Sequence, residues 1–281
     1  MHTTLIDPAT LAAHLEDPAW VVVDCRYDLA DETKGPLQYR EGHIPGARYA
    51  HLGHDLAGPR TGTNGRHPLA SPEEIAARFG ALGITRGTQV VAYDADTSMY
   101  AVRLWWMLRW LGHDAVAVLD GGLARWAADG RPVRDGEESW APAAFTGQPR
   151  EGWRLTAADV AARLGAADMR LVDARSPERY RGENETIDPV GGHIPGAANR
   201  YYLDNLAGDK TFKSPEVLRA EWTEVLAGRD PKDVVMYCGS GVTACHNLLA
   251  LEHAGLPGAR IFPGSWSEWC ADPSRPVETG G

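Results

Sequence analysis

The sequence predicts an α/β protein made of two tandem copies of one unit, each a mainly parallel sheet with helices on both faces. Three observations lead there. The chain is written twice: GHIPGA stands at residues 42–47 and again at 192–197, VVVDCR at 21–26 answers RLVDAR at 170–175, and VVAYD at 90–94 answers VVMYC at 234–238. Farther on, GGLARW at 121–126 is answered by GSWSEW at 264–269, and RPV recurs at 131–133 and 275–277. Within each copy, short β-branched or apolar runs alternate with helical patterns, the arrangement of parallel strands covered on both faces. The repeat distance, 150 residues for GHIPGA, is too long for a solenoid and suits duplication of a whole domain.

The elements follow in order. WVVVDC, QVVAY and AVAVL read as strands of the first copy, and RLVDA, DVVMY and ARIF as those of the second, because each is short, apolar and β-branched. Ser71-Pro72-Glu73-Glu74 is a capping box with proline at the first helical position, while Ser214-Pro215 and Thr156 before AADVAARLG mark two further helix starts. Between the copies lies a polar, Pro- and Gly-containing stretch with weak periodicity. The expected organisation is therefore a first domain over 1–135, a linker over 136–152 and a second domain over 153–281.

Composition bounds the function. Apolar residues make up 43% and charged residues 23% of 281, the balance of a soluble globular protein. A net charge of −10 excludes a basic footprint for nucleic acid and a polybasic membrane surface. The most apolar window, YAVRLWWMLRWLG, is broken by Arg103 and Arg109 and is too short to span a bilayer. MHTTLIDPAT has neither a basic n-region nor a long apolar core, so a cytoplasmic location is expected, with Cys25, Cys238, Cys245 and Cys270 reduced. No CxxC pair or Cys/His cluster has zinc spacing, so no metal site is expected.

The chemistry concentrates at Cys238. It follows the strand VVMY and opens a small-residue turn, Gly239, Ser240, Gly241, Val242 and Thr243, before a helix beginning near Ala244. Ligands of such sheets bind beyond the carboxyl ends of the strands. Small residues let successive backbone N–H groups converge as an anion-binding nest at a helix N-terminus. A thiolate there becomes a nucleophile at neutral pH. The first copy carries Asp94 at the matching position.

With the repeat and this loop in view, the chain resembles the tandem rhodanese-domain sulfurtransferases over essentially its whole length. The paired GHIPGA segments, the VD-x-R strand ends, YCGSGVTA and GSWSEW carry the resemblance. It implies a catalytically silent N-terminal copy, with Asp94 where the partner has its cysteine, and a C-terminal copy whose Cys238 carries sulfane sulfur as a persulfide. The acceptor it implies is cyanide, a low-molecular-weight thiol or a thioredoxin-like protein, with no metal or organic cofactor. CGSGVTA is similar to the loop of the 3-mercaptopyruvate sulfurtransferases, whereas family members preferring thiosulfate have two basic residues directly after the cysteine. By this match 3-mercaptopyruvate is the favoured donor and thiosulfate the alternative. Arg179, in RSPERYRG, is then the donor-binding arginine, beside the loop residues Gly239 to Thr243. Some mercaptopyruvate enzymes have a second arginine shortly afterwards; ENETIDPV has none, and Arg181 is the nearest substitute.

Other readings are bounded by the same residues. A phosphatase loop needs C-x5-R, but the sixth residue after Cys238 is Ala244. A non-catalytic binding module fits only the first copy, where the cysteine is absent. Arg175 is expected to form a structural ion pair with Asp173. His43 and His193 are expected to organise the GHIPGA turns, and in a Ser–His relay of the family type Ser240 and His43 would be the members. Cys245 is expected to pack against the sheet, and Trp266 to wall the cleft.

Overall fold

In the computed structural model, which describes all 281 residues, nine strands form two sheets in which every pairing is parallel. The first sheet holds β1 (Leu5–Ile6), β2 (Trp20–Asp24), β3 (Arg48–Tyr49), β4 (Gln89–Tyr93) and β5 (Val116–Leu119) in the order β1-β5-β4-β2-β3. The second holds β6 (Arg170–Asp173), β7 (Ala198–Asn199), β8 (Val234–Tyr237) and β9 (Arg260–Ile261) in the order β7-β6-β8-β9. Reading β6, β7, β8 and β9 for β2, β3, β4 and β5 gives the same order, so the sequence repeat is a repeat of topology. Where the first sheet has β1 at its edge, the second has a single parallel bridge between Arg154 and Ile261.

The strands expected from sequence are present. β1, β3 and β7 are two residues long and show no periodicity to read; β9 is equally short but lies in the apolar run ARIF, which marked it. Central strands β4 and β8 are buried along their whole length, as helices on both faces require. The window that looked most apolar is the helix Ala101–Trp110, in which only Arg109 is not fully buried. The caps also form as read: Ser71 and Glu74 make a reciprocal box, Thr156 and Asp159 another, and Ser214 accepts from the Val217 N–H.

The chain folds as two compact units. One comprises residues 1–58, 70–150 and 208–211, and the other 59–69, 151–207 and 212–281. Segment 59–69 thus belongs with the second unit, and this brings Arg66 and His67 into its site.

The duplication extends to individual bonds. Arg26 grips Asp24 and the Gly42 carbonyl (2.6 Å); Arg175 grips Asp173 and the Gly192 carbonyl (2.7 Å). Tyr93 accepts from the Ile44 N–H at 3.1 Å, and Tyr237 from the Ile194 N–H at 3.2 Å. These buried ion pairs and phenols lie beneath the GHIPGA turns and fix them against the sheet. Breaking one pair by removing a single partner would leave a buried charge, at a cost of about 3–5 kcal/mol.

Candidate active site

Cys238 follows β8 directly, and its loop feeds the helix Ala244–His253. The whole loop is buried, with Cys238 only 2% exposed. Gly241 turns the chain at φ +76°, and a Cβ there would run into the Pro263 carbonyl, so only glycine fits. Its N–H donates to the Cys238 sulfur at 3.2 Å. The Cys238 N–H donates to Ser265 Oγ at 3.1 Å, and Ser265 Oγ donates to the Phe262 carbonyl at 3.0 Å. The Cys238 and Gly239 carbonyls accept from Trp266 and Ser267 N–H, each at 2.9 Å. Val242 and Thr243 complete the turn, their carbonyls taken up by the Cys245 and His246 N–H groups of the helix.

Ser265 sits at φ +54°, a left-handed conformation that costs an L-residue roughly 1–2 kcal/mol. The corresponding residue of the first copy is Gly122, at φ +58°. The second copy therefore accepts strain in order to place a hydroxyl under the cysteine backbone.

Ser240 Oγ lies 2.8 Å from His67 Nδ1. This corrects the expectation that His43 is the partner of Ser240. His43 Nδ1 is bonded to the Tyr39 carbonyl at 2.8 Å, its Nε2 faces Glu138 at 3.4 Å, and the ring stacks on Tyr39. His193 makes the same set with Tyr180 and Glu278. Both histidines hold turns.

Arg179 comes from the short helix Pro177–Arg181. Its Nε and Nη2 reach Glu185 at 3.0 and 2.9 Å, and Nη2 also reaches Asp188 at 3.1 Å. Arg66 pairs with the same Asp188 through Nη1, and its N–H donates to Ser267 Oγ at 3.0 Å. A Cβ on Gly239 would stand 2.7 Å from Arg66 Nη2 and 3.5 Å from Arg179 Nη1, so both guanidiniums converge over the residue next to Cys238. Burial pushes the Asp188 carboxyl above its usual range, against the pull of Arg66. Arg181 turns outward to Glu183 and takes no part. Arg175 is the structural pair expected, with its guanidinium also 4.8 Å from the Trp266 ring centroid. Trp266 itself is wholly buried, a core residue and not a cleft wall. Cys245 is wholly buried, with its thiol on the Gly241 carbonyl at 3.4 Å.

The structure thus brings Cys238, the loop 239–243 and Arg179 together, and adds Arg66, His67, Asp188 and Ser265. Arg66 and His67 escaped the sequence reading because they belong to a segment 171 residues or more before the loop, with no counterpart in the repeat. Asp188 lies within ENETIDPV, one of several acidic residues there with no spacing that marks it.

In the first copy, Asp94 fills the equivalent position. Oδ1 accepts from the Ser98 N–H at 2.9 Å, and Oδ2 from Tyr100 and Ala101 N–H at 2.7 and 3.2 Å. The carboxylate occupies the N-terminal donors of its own helix. Burial raises its pKa to about 6 although the three backbone bonds favour the charged form.

The Rhodanese-like domain family matches the chain twice, over residues 7–129 and 156–272. The chain is 49% identical over 278 residues to the "Probable 3-mercaptopyruvate sulfurtransferase" of Pseudomonas aeruginosa, covering 98% of each. It is 36% identical to the thiosulfate sulfurtransferase of Bos taurus, over 90% of this chain and 85% of that one. Among solved structures it is similar to the 3-mercaptopyruvate sulfurtransferase from Leishmania major, with a TM-score of 0.84 and 32% identity over 95% of this chain and 74% of that one. No helix is long and apolar enough to cross a membrane.

Proposed function

The chain belongs to the rhodanese family of tandem-domain sulfurtransferases, and we propose that it moves sulfane sulfur from 3-mercaptopyruvate through a Cys238 persulfide to a thiophilic acceptor. The carrying observation is a thiol at the carboxyl end of the central strand, with a backbone N–H on its sulfur and two guanidiniums over the next residue. The Cys238 thiolate attacks the donor sulfur. A sulfur–sulfur bond forms, the donor's carbon–sulfur bond breaks, and the electron pair leaves with pyruvate enolate, which takes a proton. Ser240 and His67 supply the nearest chain of groups able to carry that proton. Arg179 holds the donor carboxylate through a charge-assisted bond. Cyanide, a low-molecular-weight thiol or a thioredoxin-like protein then removes the outer sulfur, giving ping-pong kinetics.

In this reading the first copy is silent, because a carboxylate cannot accept sulfane sulfur and Asp94 already fills its own nest. The relatives' names support both donors, with mercaptopyruvate at higher identity. The deciding experiment is steady-state kinetics on 3-mercaptopyruvate and thiosulfate side by side, with cyanide and a dithiol as acceptors. A higher kcat/KM on 3-mercaptopyruvate is expected; a higher value on thiosulfate makes thiosulfate the main donor.

A further inference from the structure

We propose that the first copy binds a small α-amino acid in the cavity at the carboxyl end of β4, the place where the second copy holds its thiol. The site is separate from sulfur transfer, since neither Cys238 nor a sulfur donor takes part. Its loop keeps the cradle of its counterpart. The Asp94 and Ala95 carbonyls accept from the Leu123 and Ala124 N–H groups, each at 2.9 Å, as the Cys238 and Gly239 carbonyls do from Trp266 and Ser267. A cavity of about 190 Å³ opens there, its lining including Arg26, Tyr27, Gln38, Asp94, Asp96 and Tyr100, all within the first compact unit. It lies beyond the end of a central parallel strand, where such sheets bind ligands, and its size admits only a small molecule.

The unused bonding capacity of the lining defines the ligand. Arg26 is 7% exposed and commits Nε and Nη2 to Asp24 and the Gly42 carbonyl, which leaves Nη1 as the nitrogen available to a ligand. In the second copy the matching nitrogen, Arg175 Nη1, faces Glu185 at 3.4 Å. The first copy has no carboxylate in that role, and a ligand anion would supply it. A bare anion does not suit the rest of the cavity, where Asp94 and Asp96 stand. Asp94 Oδ1 accepts a single bond, from the Ser98 N–H, and Asp96 gives Oδ2 to Lys210, so one oxygen of each has capacity for an ammonium. The Asp96–Lys210 pair is largely exposed and worth little, so it does not hold a ligand out. The Tyr27 and Tyr100 rings, edge to face with centroids 5.7 Å apart, line the same space, and aromatic faces suit a cation. A molecule with a carboxylate and an ammonium on a short frame satisfies both kinds of group at once. A lone amine or a lone carboxylate leaves one of them unpaired.

The test is calorimetry on the native protein with L-alanine as the probe, and with propionate and ethylamine as analogues that each lack one charge. One L-alanine is expected to bind per chain, and each analogue should bind about tenfold or more weakly, the size of one lost charge-assisted bond. Hydrogen exchange locates the site: L-alanine should slow exchange in peptides covering residues 94–101 and leave those covering 238–246 unchanged. Asp96→Asn should weaken L-alanine by about tenfold without weakening propionate. Arg26→Lys, which keeps a charge beside Asp24 but removes the spare nitrogen, should weaken L-alanine and propionate alike. Asp96 is partly exposed, so its variant still gives a reading should Arg26→Lys fail to fold. Absence of L-alanine binding, an analogue binding as tightly as L-alanine, protection at 238–246 in place of 94–101, or full affinity in Asp96→Asn overturns the assignment. Alanine carries no sulfur, so each outcome is read whether or not the chain turns over a sulfur donor.

Discussion

The loop after β4 and the loop after β8 occupy the same place in two copies of one sheet, and they differ in what sits at the helix N-terminus. In the first copy Asp94 satisfies three backbone donors with its own carboxylate. In the second, the Cys238 sulfur receives one, from Gly241, and two guanidiniums drawn from residues far apart in sequence converge over the next residue, Gly239. The scaffold bonds around them, Asp24–Arg26 against Asp173–Arg175 and Tyr93 against Tyr237, are nearly superimposable in kind. A shared fold therefore does not make a site. One copy spends its helix-terminal donors on itself, while the other has a polarisable sulfur one residue from the point where two cations converge.

The sharpest break of this comparison is Cys238→Ser, which puts in place of the thiol a hydroxyl that cannot hold sulfane sulfur. Turnover should be lost on either donor with the circular dichroism spectrum unchanged; residual turnover at a native rate would move the nucleophile elsewhere.

Asp94 comes next. In the folded chain it keeps its proton to about pH 6, whereas in the unfolded chain it ionises near 3.8. Between those values the folded state binds more protons, so this group's contribution to stability is present at low pH and is lost as pH rises through about 6. The loss amounts to about 3 kcal/mol at roughly 1.4 kcal/mol per unit. Asp94→Asn lacks this slope, so its denaturation midpoint should gain on the native protein's between pH 4 and 7 and run parallel above. A constant gap across that range would show that burial does not dominate at Asp94.

Arg179→Ala should lower kcat/KM on 3-mercaptopyruvate by about one to two decades, the equivalent of roughly 1.5–3 kcal/mol for a hydrogen bond to a charged group. Unchanged kinetics would pass the role to another cation. The smallest effect is expected at Ser265. Ser265→Gly makes the second copy resemble the first at Gly122, relieving strain of roughly 1–2 kcal/mol while losing two hydrogen bonds of about 1 kcal/mol each. Stability should change by less than about 1 kcal/mol, while kcat falls because the Cys238 backbone loses its anchor. A drop in stability with unchanged kcat would make Ser265 purely structural.

Much of this was legible before any coordinates. The duplication, the strand ends and the small-residue turn at Cys238 are local or periodic, and such signals survive in a linear reading. Segment 59–69 was not legible, because it has no partner in the repeat and its role arises only when it packs with residues 151–207 and 212–281. The same reason misdirected the histidine. His43, the expected relay partner, stands in GHIPGA, whose repetition marks a turn common to both copies, and the residue paired with Ser240 is the unrepeated His67. Features shared by duplicated units report the scaffold, and the unshared ones report the site.

The central claim is that sulfur travels on Cys238 alone and the first copy carries none. It is tested most directly by treating the native protein with 3-mercaptopyruvate without acceptor, then measuring intact mass and mapping peptides. The account predicts a gain of one sulfur atom, located on the Cys238 peptide, absent from the peptides bearing Cys25, Cys245 and Cys270, and discharged by cyanide. Sulfur on any of those other cysteines, or transfer to cyanide with no persulfide at Cys238, would contradict it.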